Sequence, residues 1–139
     1  MDPKGRAAFL GLIIAQAAHS VEEYCFRLFD VLAPARLVSR FFSPNLALGF
    51  AIANTALVLL GLVCYLGWVQ RALPGARSIA WFWAVMELAN GIGHIALALE
   101  QRGYFPGLAT APFLLTISAY LISRLGARPV NPSSESHSA

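Results

Sequence analysis

The chain has 139 residues, 58% of them hydrophobic and 12% charged, with a net charge of +3 and a mean hydropathy of +0.62. Soluble domains carry about a quarter charged residues, so this composition excludes an ordinary soluble enzyme and points to one compact integral membrane bundle. No basic, aromatic-interleaved patch offers itself to nucleic acid, and Cys25 and Cys64 are too few and too far apart for a zinc ribbon or a disulfide framework.

In chain order, a short polar start with Lys4 and Arg6 leads into a first helical candidate from Ala7 to about Phe29. Its apolar part stops at Ala18, and His19-Ser20-Val21-Glu22-Glu23 follows. A charge at the centre of a membrane helix costs roughly 2.5–3.5 kcal/mol, so these residues must line a wet cavity or sit near the outer end of the span. At 100° per residue, Gln16, His19, Ser20, Glu23 and Arg27 form one polar stripe, and Arg27 is one turn from Glu23. A competing reading takes Lys4/Arg6, the apolar run and Ala15-Gln16-Ala17 as a cleavable secretory signal. The stripe running through the cut, and the three spans that follow, argue against it.

Asp30–Pro44, with Pro34, Arg36, Arg40 and Pro44, reads as a connection whose Phe41-Phe42 rests at the membrane interface. The second span covers about 45–70, with Asn54 its main polar residue. Pro74-Gly75 marks a tight turn, Ser78 offers a cap, and the third span runs over 78–101. A fourth covers about 107–125, and residues 127–139, including His137, read as a disordered tail. The expectation is therefore an all-α, four-span transmembrane helical bundle over residues 1–126. Lys4, Arg6, Arg71, Arg77, Arg124 and Arg128 then share one side, against Arg27, Arg36, Arg40 and Arg102 on the other, which places both termini in the cytoplasm.

The third span carries Glu87, Asn90 and His94 on one face. Because alternate spans run in opposite directions, His94 and His19 both lie toward the outer end. Tyr104–Thr110 closes the bundle at that end, and Asn54 lies at a similar depth. Glu87 sits nearer the middle. Several of these residues have structural readings: interhelical hydrogen bonding for the histidines and asparagines, a turn for Tyr104, Pro106 and Gly107, and a cap for Thr110.

The order His19-x-x-Glu22-Glu23, Asn90-x-x-x-His94, Tyr104-x-Pro106-Gly107-x-x-Thr110 resembles the HXXEE-domain family of small bacterial integral membrane proteins. The resemblance implies a polar site in a bacterial inner-membrane protein and supplies no substrate.

Two histidines and a carboxylate form the ligand set of several catalytic zinc and non-haem iron sites. His19, Glu23 and His94 are the candidate ligands for a divalent metal. Glu22 or Glu87 remains as general base, and Asn90 would orient a ligand or stabilise an oxyanion. Tyr104 and Thr110 complete the candidate catalytic set, with Asn54 and Glu87 in support. A metal-free version uses His and Glu for acid/base chemistry. The expected activity is hydrolysis, isomerisation or transfer on a lipid-soluble small molecule. The alternatives are a proton- or metal-ion-handling transporter or channel subunit, which with so few spans requires a homo-oligomer, and a structural assembly protein.

Overall fold

The computed structural model describes residues 1–127, and these residues form six α-helices and no strand. The tail read from 127 to 139 lies outside the described residues beyond Ala127, as does His137. Helix α1 covers Pro3–Cys25, α2 Leu28–Val31 and α3 Ala33–Phe42. Helix α4 covers Leu46–Cys64 and continues through a wide π turn, Tyr65–Val69. Helices α5 (Ala76–Gln101) and α6 (Ala111–Gly126) complete the bundle.

Helix α1 starts where Asp2 accepts a hydrogen bond from the Gly5 N–H at 2.9 Å, with Pro3 in the first turn. It ends four residues before the expected boundary. Arg27 takes a left-handed conformation, φ +55°, and pairs with Asp30 at 2.5 Å rather than with Glu23. The polar stripe therefore stops short of Arg27. A left-handed non-glycine residue costs about 1–2 kcal/mol. The turn that follows buries Leu28 and Phe29, each worth about 1.5–3 kcal/mol, so packing outweighs the strain.

The connection expected from Asp30 to Pro44 contains helix α3. Pro34 sits in its first turn, where the missing N–H costs nothing. Ser39 is fully buried, its hydroxyl donating to the Ala35 carbonyl at 2.7 Å. A Cβ on Gly49 would overlap the Ser39 backbone carbonyl, so α3 and α4 cross at backbone contact there. Leu37 and Phe41 on the far side of α3 are exposed. At the other end of the bundle, a Cβ on Gly61 would fall 2.5 Å from Ile13 Cδ1 and 3.2 Å from the Trp83 ring, which draws α1, α4 and α5 together.

Two apolar clusters result. One holds Phe9, Leu12, Ile13, Val69, Trp83 and Leu121 near the chain ends. The other holds Leu28, Phe29, Phe50, Ala98 and Phe105 at the opposite end. Between them lie the buried polar residues Gln16, His19, Ser20, Glu23, Glu87 and His94. Helix α5 starts at Ala76 after Gly75 (φ +86°), so Ser78 sits inside the first turn instead of capping it.

Leu46–Val69 (24 residues) and Ala76–Gln101 (26 residues) are the two described helices long and apolar enough to cross a membrane. Their outward faces are themselves apolar: Leu59, Leu60 and Val63 on α4 and Phe82, Val85 and Ile92 on α5 are exposed. Helix α6, at 16 residues, is shorter than a span requires.

Gly49→Ala should lower the thermal unfolding midpoint in detergent by the equivalent of about 1–3 kcal/mol, the cost of overpacking a tight contact. Gly67→Ala, where a Cβ meets open space, should leave the midpoint unchanged or slightly raised. Equal melting of the two variants would mean that α3 does not rest on α4 at Gly49.

Candidate functional site

Helices α1 and α5 run in the same direction, with Phe9 against Trp83 toward their starts and His19 against His94 toward their ends, and they bring His19, Glu23 and His94 together inside the bundle. Glu23 Oε1 lies 3.4 Å from His19 Nε2, one turn back on α1, and 3.1 Å from His94 Nε2 on α5. The two imidazole rings stand nearly perpendicular, 86°, with centroids 4.6 Å apart. One candidate ligand atom from each residue falls within 4.8 Å of the other two. Ligands about 2.0–2.1 Å from a tetrahedral ion are separated from one another by about 3.3–3.4 Å, so the two His–Glu distances match that edge.

The other nitrogen of each ring fixes its tautomer. His94 Nδ1 lies 2.5 Å from the Pro106 carbonyl, which only accepts, so Nδ1 carries the proton. His19 Nδ1 lies 2.7 Å from Thr110 Oγ1. The single proton of that hydroxyl goes to Glu22 Oε2 at 2.5 Å, a far shorter contact than the 3.4 Å to the Gly107 carbonyl. Thr110 therefore accepts from His19, whose Nδ1 also carries the proton. In the neutral form of each ring Nε2 is then a lone pair aimed at a carboxylate oxygen, and His19 Nε2 is buried with no hydrogen-bond partner among the described residues. Three lone-pair donors facing one another require a cation among them, either a metal ion or a proton on one ring.

Glu22 has a different place. Its carboxylate accepts from the Tyr104 hydroxyl, from the backbone N–H groups of Ala109 (2.9 Å) and Thr110 (2.8 Å), and from the Thr110 hydroxyl. These are donors at the start of α6, where a helix attracts negative charge. Thr110 occupies the cap position of α6, but its hydroxyl serves Glu22 and His19 instead of capping the helix. Gly107 adopts φ +94°, and a Cβ there would fall 2.5 Å from His94 Nδ1 and 2.7 Å from His19 Cε1. Only glycine lets the loop close over both rings.

The remaining candidates stand apart from the triad. Asn90 donates to Glu87 Oε2 at 3.4 Å, and Glu87 lies two turns along α5 from His94. Asn54 accepts from Ser20 at 2.9 Å, and Ser20 accepts from Gln16 at 3.2 Å. Three buried oxygens on this inner side, in Gln16, Glu87 and Ser118, have no partner among the described residues. The Pro106 carbonyl is a contributor that sequence reasoning passes over, since a backbone acceptor has no side-chain signature. Ser118 shows a weak signal, a hydroxyl two turns from Thr110 on the same face of α6.

A family model described as a protein of unknown function with an HXXEE motif matches residues 10–121. The chain belongs to the HXXEE family. No curated protein and no solved structure matches it. Within the HXXEE motif of this chain the three named positions divide. His19 and Glu23 face His94, while Glu22 ties the motif to the segment that orients both rings.

Burial and the adjacent Glu22 carboxylate push the Tyr104 phenol above its ordinary value. A phenol raised in the folded state contributes stability that is present below the ordinary value and is lost as pH rises past it. At about pH 11, a unit above an ordinary phenol, wild type and Tyr104→Phe should give the same tyrosinate absorbance. A wild-type excess of one tyrosinate would show that Tyr104 ionises normally and does not stay bonded to Glu22.

Proposed function

We propose that this chain is an integral membrane enzyme whose His19, Glu23 and His94 side chains hold a divalent metal ion and act on a lipid-soluble substrate. The observation that carries this reading is the commitment of both Nδ1 protons to fixed acceptors. It leaves both Nε2 atoms and Glu23 Oε1 converging, a set of three lone-pair donors when the rings are neutral. Histidines oriented by a carbonyl or hydroxyl on their second nitrogen are the usual arrangement around bound metals. Mixed nitrogen and oxygen donors suit zinc or non-haem iron. Three protein ligands leave a further position for water or substrate.

The chemistry such an ion supplies is Lewis-acid polarisation and a nucleophile available near neutral pH. The protein's own groups do the rest. Glu22, saturated by donors, positions the loop and through Thr110 holds His19. Glu23 offers its second oxygen as the proton acceptor nearest the reacting position. Glu87 lies about 10 Å from His94 along the helix axis, farther than one bridging water spans, so with Asn90 it supports the polar layer and not the proton transfer itself. Hydrolysis or group transfer fits this arrangement best.

Four membrane crossings accommodate the reading. Helix α1, at 23 residues, is about 34 Å long and matches a hydrocarbon core of about 30 Å, with its carboxylates turned inward. Helix α6, with 16 residues, reaches about 24 Å, and the Tyr104–Thr110 loop supplies the remaining depth. Non-helical backbone at that depth is tolerated when protein groups satisfy it, as Glu22 does here. The excess of Lys and Arg beside the termini and the α4–α5 turn favours a cytoplasmic location for both ends, in a bacterial inner membrane, with the triad toward the outer face. An ion pathway fits less well, because Phe9, Ile13 and Trp83 close the bundle inward of the polar layer. Purely structural hydrogen bonding fits less well because the central nitrogen of His19 is left unsatisfied.

Elemental analysis of detergent-purified protein never exposed to chelators should find about one zinc or iron per chain, lost in His19→Ala and His94→Ala. Thr110→Val should weaken metal affinity about 10–100-fold, because it frees the His19 ring. Wild type without stoichiometric metal would sink the metal reading and leave a shared proton at the triad.

A further inference from the structure

A cleft of about 350 Å³ opens between α1 and the first half of α4, within the size range of small-ligand sites. Its walls include Val21, Tyr24, Phe50, Ala51, Val58 and Leu59, and no charged side chain lines it. Its polar spot is the hydrogen bond from Ser20 to Asn54. Ser20 directly follows His19 in α1 but points about 100° away from it around the helix, so the spot lies on a different face from the triad. Asn54 donates one amide hydrogen to the Phe50 carbonyl at 3.2 Å. A side-chain amide has two donors, so the second is available to an acceptor in the cleft.

The surroundings of the cleft decide what occupies it. Leu59 and Val21, on its two rims, are 54% and 62% exposed, and in a membrane-spanning α4 these rims meet acyl chains. The route along the bundle axis is shut, because Phe29, Phe50, Ala98 and Phe105 pack together beyond the outer side of the triad. A water-soluble ligand would have to pass through that cluster, whereas a lipid enters sideways. Without a cationic side chain, the cleft has nothing to recognise a phosphate or carboxylate, so the group at Asn54 is an uncharged acceptor.

We propose that the α1/α4 cleft binds the acyl chain of a membrane lipid, with the lipid's carbonyl oxygen accepting from Asn54 beside Ser20. The inference rests on the metal-centre reading for what happens to the lipid, but the binding site stands on its own geometry.

The test places the full chain in nanodiscs containing a phosphatidylglycerol with a mid-chain diazirine, and maps photo-adducts by peptide mass spectrometry. Labelling per residue on Ala51, Thr55 and Val58 should exceed that on Leu60 and Val63, on the outward face of α4, by about fivefold. Ala51→Trp, which fills the cleft from a membrane-facing position, should reduce the cleft signal to the Leu60 level. Asn54→Leu, which keeps the volume and removes the amide, should lower the excess in protein that circular dichroism shows to be folded. Uniform labelling along α4 in folded wild type, or a cleft signal indifferent to Ala51→Trp, would overturn the proposal. Metal content measured on the same samples separates the two readings. Cleft labelling without metal supports the lipid site and overturns the metal centre, and metal with uniform labelling does the reverse.

Discussion

One carboxylate, that of Glu22, ties the end of α1 to the start of α6, and the rest of the site is built from that tie. It accepts from two consecutive backbone N–H groups and from the hydroxyls of Thr110 and Tyr104. Thr110, with its proton committed to Glu22, can only accept from His19. The same loop carries the Pro106 carbonyl to His94 and lays Gly107 against both rings. A charge-assisted hydrogen bond is worth about twice a neutral one, and more where water is excluded. The orientation of the two histidines is thus set by a group that touches neither of them.

The architecture places this polar layer between two apolar clusters. The cluster near the chain ends fixes the spacing of α1, α4 and α5 through Trp83 and Gly61. The opposite one forms only because α1 breaks at Arg27 and turns Leu28 and Phe29 into the bundle. Polar groups so enclosed have no bulk water to satisfy them, and each must find a protein partner or remain reactive. Most in the layer find one. The exceptions, His19 Nε2 and the oxygens of Gln16, Glu87 and Ser118, give the interior its chemical character.

Much of this was legible in the sequence. The apolar runs located the long helices, and the alternating direction of successive spans put His19, His94 and the Tyr104–Thr110 turn at one end. The all-helical class and the family followed from the same residues. What was hidden was hidden for physical reasons. No Gly or Pro marks the break at Arg27, because burial of the residues beyond it, and not local propensity, imposes the turn. Helix α3 looked like a loop because Pro34 and the arginines resemble punctuation, while the Ser39–Gly49 contact that stabilises it depends on a partner helix. The stripe already set Glu23 beside His19 and left Glu22 about 100° away around the helix, but only tertiary contacts show Glu22 to be an anchor and not a base. Backbone acceptors such as the Pro106 carbonyl leave no trace in a pattern of side chains.

The bonds that satisfy His19 and Glu22 join residues 82 to 91 positions apart. A chain made from its N-terminus has α1 long before these partners exist. Until the Tyr104–Thr110 segment is synthesised, the Glu22 carboxylate lacks the four donors that hold it and His19 Nδ1 lacks its acceptor, so burying either is costly. The polar face of α1 therefore settles late, against a frame in which α4 and α5 supply the long apolar runs. The site closes only when the last helix arrives, so an incomplete chain has no assembled triad.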